Sequence, residues 1–233
     1  MNHSLLILLS TVVAFLLASP WANMVITIML ISLFGLKALF IIISAIAIAI
    51  ITGFIFQLLE KANLIERNNN SVEVGKDFSI VADIKKRLKG YRFSFATFQS
   101  DLKGIYRGML SSSDMVLWWI LIGMGLASLT GAYIPSRLFH HYMGSTLLGL
   151  FVTLGIATII EVCSEGSAPM AFEIFRQTGA LGNSFVFLMA GVATDYTEIG
   201  LLWHNVGRRV AIWLPLVTVP QIVLLGLIAN KVF

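Results

Sequence analysis

Residues 161–169 gather more chemical capacity than any other stretch of the chain. Glu161 and Glu165 are carboxylates, Cys163 is the sole cysteine, Ser164 and Ser167 are hydroxyls, and Gly166 and Pro169 disrupt regular helix. A thiolate is a soft ligand for metal or metalloid centres, whereas carboxylates suit hard cations and protons. A second polar group follows at Thr194, Asp195 and Glu198, and Asn23 offers an uncharged amide near the other end of the chain. Outside residues 60–112 there are six acids, five of them between 161 and 198. Carboxylates held away from water take up protons more readily, the property that proton-coupled transport uses. Glu165 and Asp195 lead these candidates because glycine and proline surround them. The competing reading of Cys163 is plain packing, since free cysteine is among the most buried residue types.

Other chemistries lack their parts. Ser164 and Ser167 have no histidine in the same apolar stretch, so a hydrolase triad is not assembled and no enzyme is expected. No glycine loop for phosphates and no metal-ligand spacing occurs, so neither cofactor nor metal is expected. His140 and His141 are adjacent, in what reads as a short loop, and would project in different directions, a poor shared ligand pair. Glu173 and Arg176 stand three apart, where one helix face lets them neutralise each other.

The elements that position these groups are apolar. The 233 residues are 58% hydrophobic and 12% charged, with mean hydropathy +0.88. Soluble domains average about 25% charged residues, so the class is a polytopic membrane protein. One cysteine excludes an internal disulfide. The net charge is +4, and ten of the sixteen Lys and Arg lie within 60–112, interleaved with six acids. That interleaving argues against nucleic acid and for a cytoplasmic loop under the positive-inside bias. The expectation is an all-α transmembrane bundle in the cell membrane, with broken or re-entrant helices. It divides into 1–59, a cytoplasmic loop at 60–112 and 113–233.

In chain order, residues 4–34 form an apolar run interrupted by Ser19-Pro20-Trp21-Ala22-Asn23, predicting two half-helices or one strongly kinked helix. Residues 38–59 are a clean span. Phe78, Val81, Ile84 and Leu88 recur at helical spacing among basic residues, predicting either an amphipathic helix at the inner membrane surface or a basic solvated linker, and a second such piece runs from Phe95 to Met109. Residues 115–134 form the next span, opened by the interfacial pair Trp118 and Trp119. The 143–160 run leads to the 161–169 segment, whose Gly166 and Pro169 are expected to break the helix. Residues 183–202 are interrupted at Gly191-Val192-Ala193-Thr194-Asp195, and 210–230 is the last span.

An offset of 172 residues aligns the two ends of the chain. Phe15-Leu16-Leu17-Ala18-Ser19 meets Phe187-Leu188-Met189-Ala190-Gly191, Asn23 meets Asp195, and Gly35-Leu36-Lys37 meets Gly207-Arg208-Arg209. Interrupted hydrophobic segments at matching positions in two halves point to a transporter's binding site. The first-half counterpart of Cys163–Pro169 would fall upstream of Met1. Either the first half is shortened, or the missing helices come from a longer gene product, a complementing polypeptide or a second copy in a homodimer.

The order of Cys163-Ser164-Glu165-Gly166-Ser167-Ala168-Pro169 and Gly191-Val192-Ala193-Thr194-Asp195 resembles the predicted-permease family that includes organoarsenical efflux permeases. Ser19-Pro20-Trp21-Ala22-Asn23 looks like the first-half version of the second motif, and Tyr133-Ile134-Pro135 resembles the family's helix end before the second half. The sequence departs from the pattern by lacking the first-half cysteine motif and by having Val192 and Asp195 for proline and asparagine. The resemblance implies a permease exporting a small solute, with Cys163 suited to trivalent arsenic. The alternative is a non-transporting membrane subunit that scaffolds a partner through 60–112. Topology turns on the stretch 161–178. If it re-enters, Arg208 and Arg209 face the same side as the loop and the halves are inverted, the course preferred here.

Overall fold

Proline, asparagine and glycine set the helix boundaries. In the computed structural model, which describes residues 3–66, 85, 95–160 and 163–233, ten helices and no strands occur among the described residues. They are α1 (His3–Ala18), α2 (Met24–Phe34), α3 (Lys37–Lys61), α4 (Phe95–Tyr133), α5 (Ser136–Tyr142), α6 (Leu147–Ile159), α7 (Ser164–Thr178), α8 (Leu181–Ala193), α9 (Tyr196–Asn205) and α10 (Arg208–Val232). Apart from Lys85, the amphipathic helix expected at 78–88 lies outside the described residues, as does Glu161.

The chain divides into two units, one of Met1–Ser71 with Trp119–Phe233 and one of Val72–Trp118. In the smaller unit, Leu102, Ile105, Tyr106, Met109 and Leu110 are all exposed, and their spacing puts them on one helical face. The sequence pattern suggested a separate amphipathic piece ending near Met109. Instead α4 runs unbroken through 111–115. Ser111-Ser112-Ser113-Asp114 changes polarity, but serine and aspartate cost a helix only a few tenths of a kcal/mol each, and no proline stops it.

The larger unit holds the core. Four helical stretches are long and apolar enough to cross a membrane: Lys37–Lys61, Val116–Tyr133, Leu181–Asn205 and Arg208–Val232. The pair α5 and α6 makes a fifth if counted as one span, bent by 109°. At about 1.5 Å per residue, α3 and α10 each exceed the roughly 30 Å of a hydrocarbon core. α8 is central. Every residue in it except Gly191 is buried, which an apolar helix tolerates only when surrounded by other helices.

Side-chain contacts fix the directions of α2, α3 and α10. Lys37 at the start of α3 lies over the rings of Phe175 and Phe233, 4.6 and 5.9 Å from their centroids. Phe40 stacks edge-on with Phe185 and Phe233. Phe34 at the end of α2 packs on Phe172 and Phe175. These residues define an aromatic end. At the opposite end, the Glu66 carboxylate accepts the backbone N–H of Arg209 at 2.9 Å and of Val210 at 3.4 Å, capping α10. So α3 and α10 run antiparallel, and Arg208 and Arg209 share an end with residues 61–66. Midway, Gln221 donates to Thr52 at 3.1 Å.

The same contacts resolve α6 and α7. The buried Asn183 amide donates to the Gly144 carbonyl at 3.2 Å and to Thr153 Oγ1 at 3.0 Å. Asn183 in turn accepts from Asn230, whose own side-chain oxygen takes the Gly182 N–H. That network ties the start of α6 to the start of α8 and the end of α10, all at the aromatic end. Interhelical polar bonds of this kind each contribute about 0.6 kcal/mol in bilayers. α7 also finishes at the aromatic end, where Phe175 meets Lys37. α6 therefore starts and α7 finishes at the same end, so the two helices form a hairpin in the manner of a re-entrant loop.

Candidate functional site

The tip of the hairpin comes from the cap of α7. Cys163 is its N-cap residue, and its Sγ accepts the Gly166 N–H at 3.4 Å. The helix break thus precedes Gly166 and Pro169, contrary to the expectation that those two residues make it. Both lie inside α7. Pro169 has no N–H to offer the Glu165 carbonyl one turn back, so that backbone oxygen loses its ladder donor beside the acidic side chain. Gly166 meets α4: a Cβ built on Gly123 would collide with the Gly166 carbonyl. The two backbones touch because Gly123 has no side chain.

Glu165 joins the halves of the chain. Its Oε1 accepts a hydrogen bond from Asn23 Nδ2 at 3.0 Å, and its Oε2 accepts one from Ser164 Oγ at 3.3 Å. Both donors are neutral, so these contacts hold the carboxylate without neutralising it. Asn23 is fixed from the other side: its Oδ1 caps α2 by accepting the Val25 N–H at 3.0 Å. That α1–α2 break follows from Pro20, because the residue before a proline is pushed out of helical geometry. Trp21 lies in the same break and is 1% exposed. Its indole Nε1–H is buried without an acceptor in the structure.

The second polar interruption meets the hairpin from α8. Thr158, in the last turn of α6, and Thr194 share a hydrogen bond of 2.7 Å. Asp195 is the N-cap of α9; its carboxylate accepts the Thr197 N–H at 2.7 Å and the Thr197 hydroxyl at 2.6 Å, with a longer 3.4 Å contact from the Glu198 N–H. Ser167 is buried and faces Gly191, whose built Cβ would stand 4.0 Å from Ser167 Oγ. Asn23 and Asp195, aligned by the sequence offset, thus occupy the same position at the start of a short second half-helix. Both half-helices then reach a glycine, Gly35 and Gly207.

A family model described as "Predicted permease" matches residues 7–231. The chain belongs to the predicted permease family. No curated protein and no solved structure shows a significant match to it. With the family and the apolar helices together, this permease is a multi-pass membrane protein that handles small substrates.

Of the residues singled out in the sequence, the permease brings Cys163, Ser164, Glu165, Gly166 and Asn23 to one place. Ser167 and Thr194 reach the adjoining α7–α8 and α6–α8 contacts. Asp195 and Glu198 belong to the start of α9, and Pro169 borders a cavity of about 270 Å³ with Met29, Leu33 and Phe172. Glu173 and Arg176 do pair, with Nε–Oε2 at 2.8 Å and Nη2–Oε1 at 2.9 Å. His140 and His141 lie within α5 rather than in a loop. No group of three or more potential metal ligands occurs among the described residues. Trp21 and Thr158 escaped the sequence reading. Trp21 stood inside a motif valued for its proline and asparagine, and Thr158 in an apolar run where threonine usually just bonds its own backbone.

Proposed function

We propose that this permease is a secondary transporter whose solute site is the tip of the α6–α7 hairpin, wedged between the α1–α2 and α8–α9 breaks. The observation that supports this best is the Asn23–Glu165 hydrogen bond of 3.0 Å across 142 residues. It joins the first-half helix break to the N-terminus of α7. Broken helices from two related segments converging on one polar point are how transporters build sites without exposing unpaired backbone to lipid.

Within this reading, Glu165 takes and releases the coupling proton, and Asn23 and Ser164 hold it in place. Cys163 presents a soft sulfur to the solute, Trp21 offers an unused N–H donor, and Gly166, Ser167, Pro169 and Thr194 shape the walls. Glu161 and Glu198 supply further negative charge, and Asp195 holds the second break open by capping α9. The internal repeat pairs α1–α2–α3 with α8–α9–α10. The antiparallel course of α3 and α10 supports inverted halves. The loop at 60–112 then faces the cytoplasm together with Arg208 and Arg209. Export is the direction implied by the resemblance to efflux permeases.

The test is uptake of a methylated trivalent arsenical into inverted vesicles carrying the full chain. Glu165→Gln keeps the hydrogen-bonding shape and removes the proton carrier. Uptake is expected to fall by roughly tenfold or more, in the range of losing one positioned acid–base group. Cys163→Ser is expected to weaken apparent affinity. Unchanged flux in both variants would sink the site.

A further inference from the structure

Resting on that reading of the hairpin tip, we propose that the apolar cavity beside the hairpin is the leg of the solute route between the site and the aromatic end. We further assign the chain Ser136–Gln177–Glu173–Arg176 as the latch that keeps α5 closed over it. The cavity has a volume of about 290 Å³, near the lower edge of ligand pockets, which run from roughly 300 to 1,000 Å³. Phe139 and Met143 of the α5 segment line it, as do Ile156 and Met170 further in and Ile160 directly before the hairpin tip. It therefore spans from the aromatic end, where α5 lies, to the doorstep of Cys163. Walls of this kind dewet, so they pass a solute with an apolar body and block hydrated ions and proton leak.

Glu173 is the acid that the tip does not use. It is 7% exposed and borders both this cavity and the one beside Pro169. Its carboxylate receives Arg176 through two bonds and Gln177 Nε2 at 2.7 Å. Gln177 then accepts the Ser136 hydroxyl at 2.6 Å. Ser136 is the first residue of α5, a seven-residue helix set at 109° to α6. The relay thus ties the first turn of a short lid to an ion pair on α7 whose carboxylate is buried and whose guanidinium is exposed. Gly131 makes room for it, since a Cβ there would collide with Glu173 Oε1. Freeing Ser136 or Gln177 lets α5 lift from the cavity mouth while α6 and α7 stay in place.

Cys163, the chain's single cysteine, reports on this route without any knowledge of the solute. The experiment measures its modification by a membrane-impermeant maleimide added from each face, using intact cells and inverted vesicles with the full-length protein. Phe233→Cys in a Cys163→Ser chain identifies the aromatic-end face. Ser136→Ala and Gln177→Leu are expected to raise the Cys163 rate from that face by roughly three- to tenfold, the shift from losing one or two net hydrogen bonds. The rate from the other face should stay unchanged. Ile156→Cys in the Cys163→Ser background should become reactive from the aromatic-end face when combined with Gln177→Leu. Native rates in both latch variants overturn the proposal. So does an equal rise from both faces, which is what general loosening of the helices gives. Ser136→Ala removes one exposed hydroxyl and decides the matter alone if Gln177→Leu does not assemble. The site reading fails separately, through unchanged uptake in Glu165→Gln, whatever the labelling shows.

Discussion

A buried donor with no acceptor is costly, and Trp21 is such a donor. Leaving it unpaired costs about 1–3 kcal/mol relative to a satisfied group. A phenyl ring there escapes that penalty but leaves the space of the second ring empty. The two effects offset, so Trp21→Phe is expected to keep the purified protein within about 1 kcal/mol of the native chain's stability, while lowering transport. A melting curve in detergent beside a vesicle uptake assay separates the outcomes. A variant that loses stability and transport together would make the indole a packing residue and remove it from the site. The Asn23–Glu165 pair follows the same logic with the opposite sign. Each of its members is satisfied by the other, so it stands as a joint between halves as well as a polar point. Asn23 and Glu165 were both readable in the sequence, one from the repeat and one from a carboxylate beside glycine in an apolar run. Their contact was not, because nothing in local pattern specifies which of four acids an amide 142 residues away will meet.

At the scale of elements, close backbone approach replaces hydrophobic driving force. Lipid tails are as apolar as leucine, so helices associate in bilayers through packing and small residues. The crossing of α4 and α7 shows it most sharply, with Gly123 against the Gly166 carbonyl. Gly123→Ala puts a methyl where that oxygen stands. The helices must separate near the hairpin tip, at a cost of about 1–3 kcal/mol typical of overpacking. Thermal unfolding in detergent should register that loss, and uptake should fall with it because Gly166 follows Glu165. An alanine variant as stable as the native chain would show that the crossing has slack. Some element boundaries were legible from the residue type that forces them. Pro20 with Asn23 split α1 from α2, whereas the end of α7 at Gly179, φ +68°, was not singled out in the sequence. Boundaries were illegible where geometry comes from tertiary contact. The bend between α5 and α6 has no proline, and α5 is placed by Ser136, Phe139 and their partners across the unit. The continuity of α4 was missed for the complementary reason: a change from polar to apolar surroundings alters a helix's neighbours without altering its backbone.

For the whole molecule, the decisive quantity is which side each turn faces. In the larger unit, Lys37 and Phe233 meet at one end and Glu66 meets Arg209 at the other. A hairpin at 147–178 adds no crossing, so the chain after it resumes on the side where it entered. Residues 61–66 and the pair Arg208 and Arg209 then share one end, the end that the proposed orientation assigns to the cytoplasm under the positive-inside bias. A crossing segment would instead split the basic residues between faces and align α3 with α10 in parallel, which the Glu66 cap on α10 contradicts. Single cysteines placed in a Cys163→Ser chain turn this into a measurement. Lys61→Cys and Arg209→Cys are expected to react with an impermeant maleimide from the same face, and Lys37→Cys and Lys231→Cys from the opposite one. If Arg209→Cys reacts alongside Lys37→Cys, the hairpin crosses the bilayer. The halves would then run parallel, and the Asn23–Glu165 joint would no longer sit between inverted repeats.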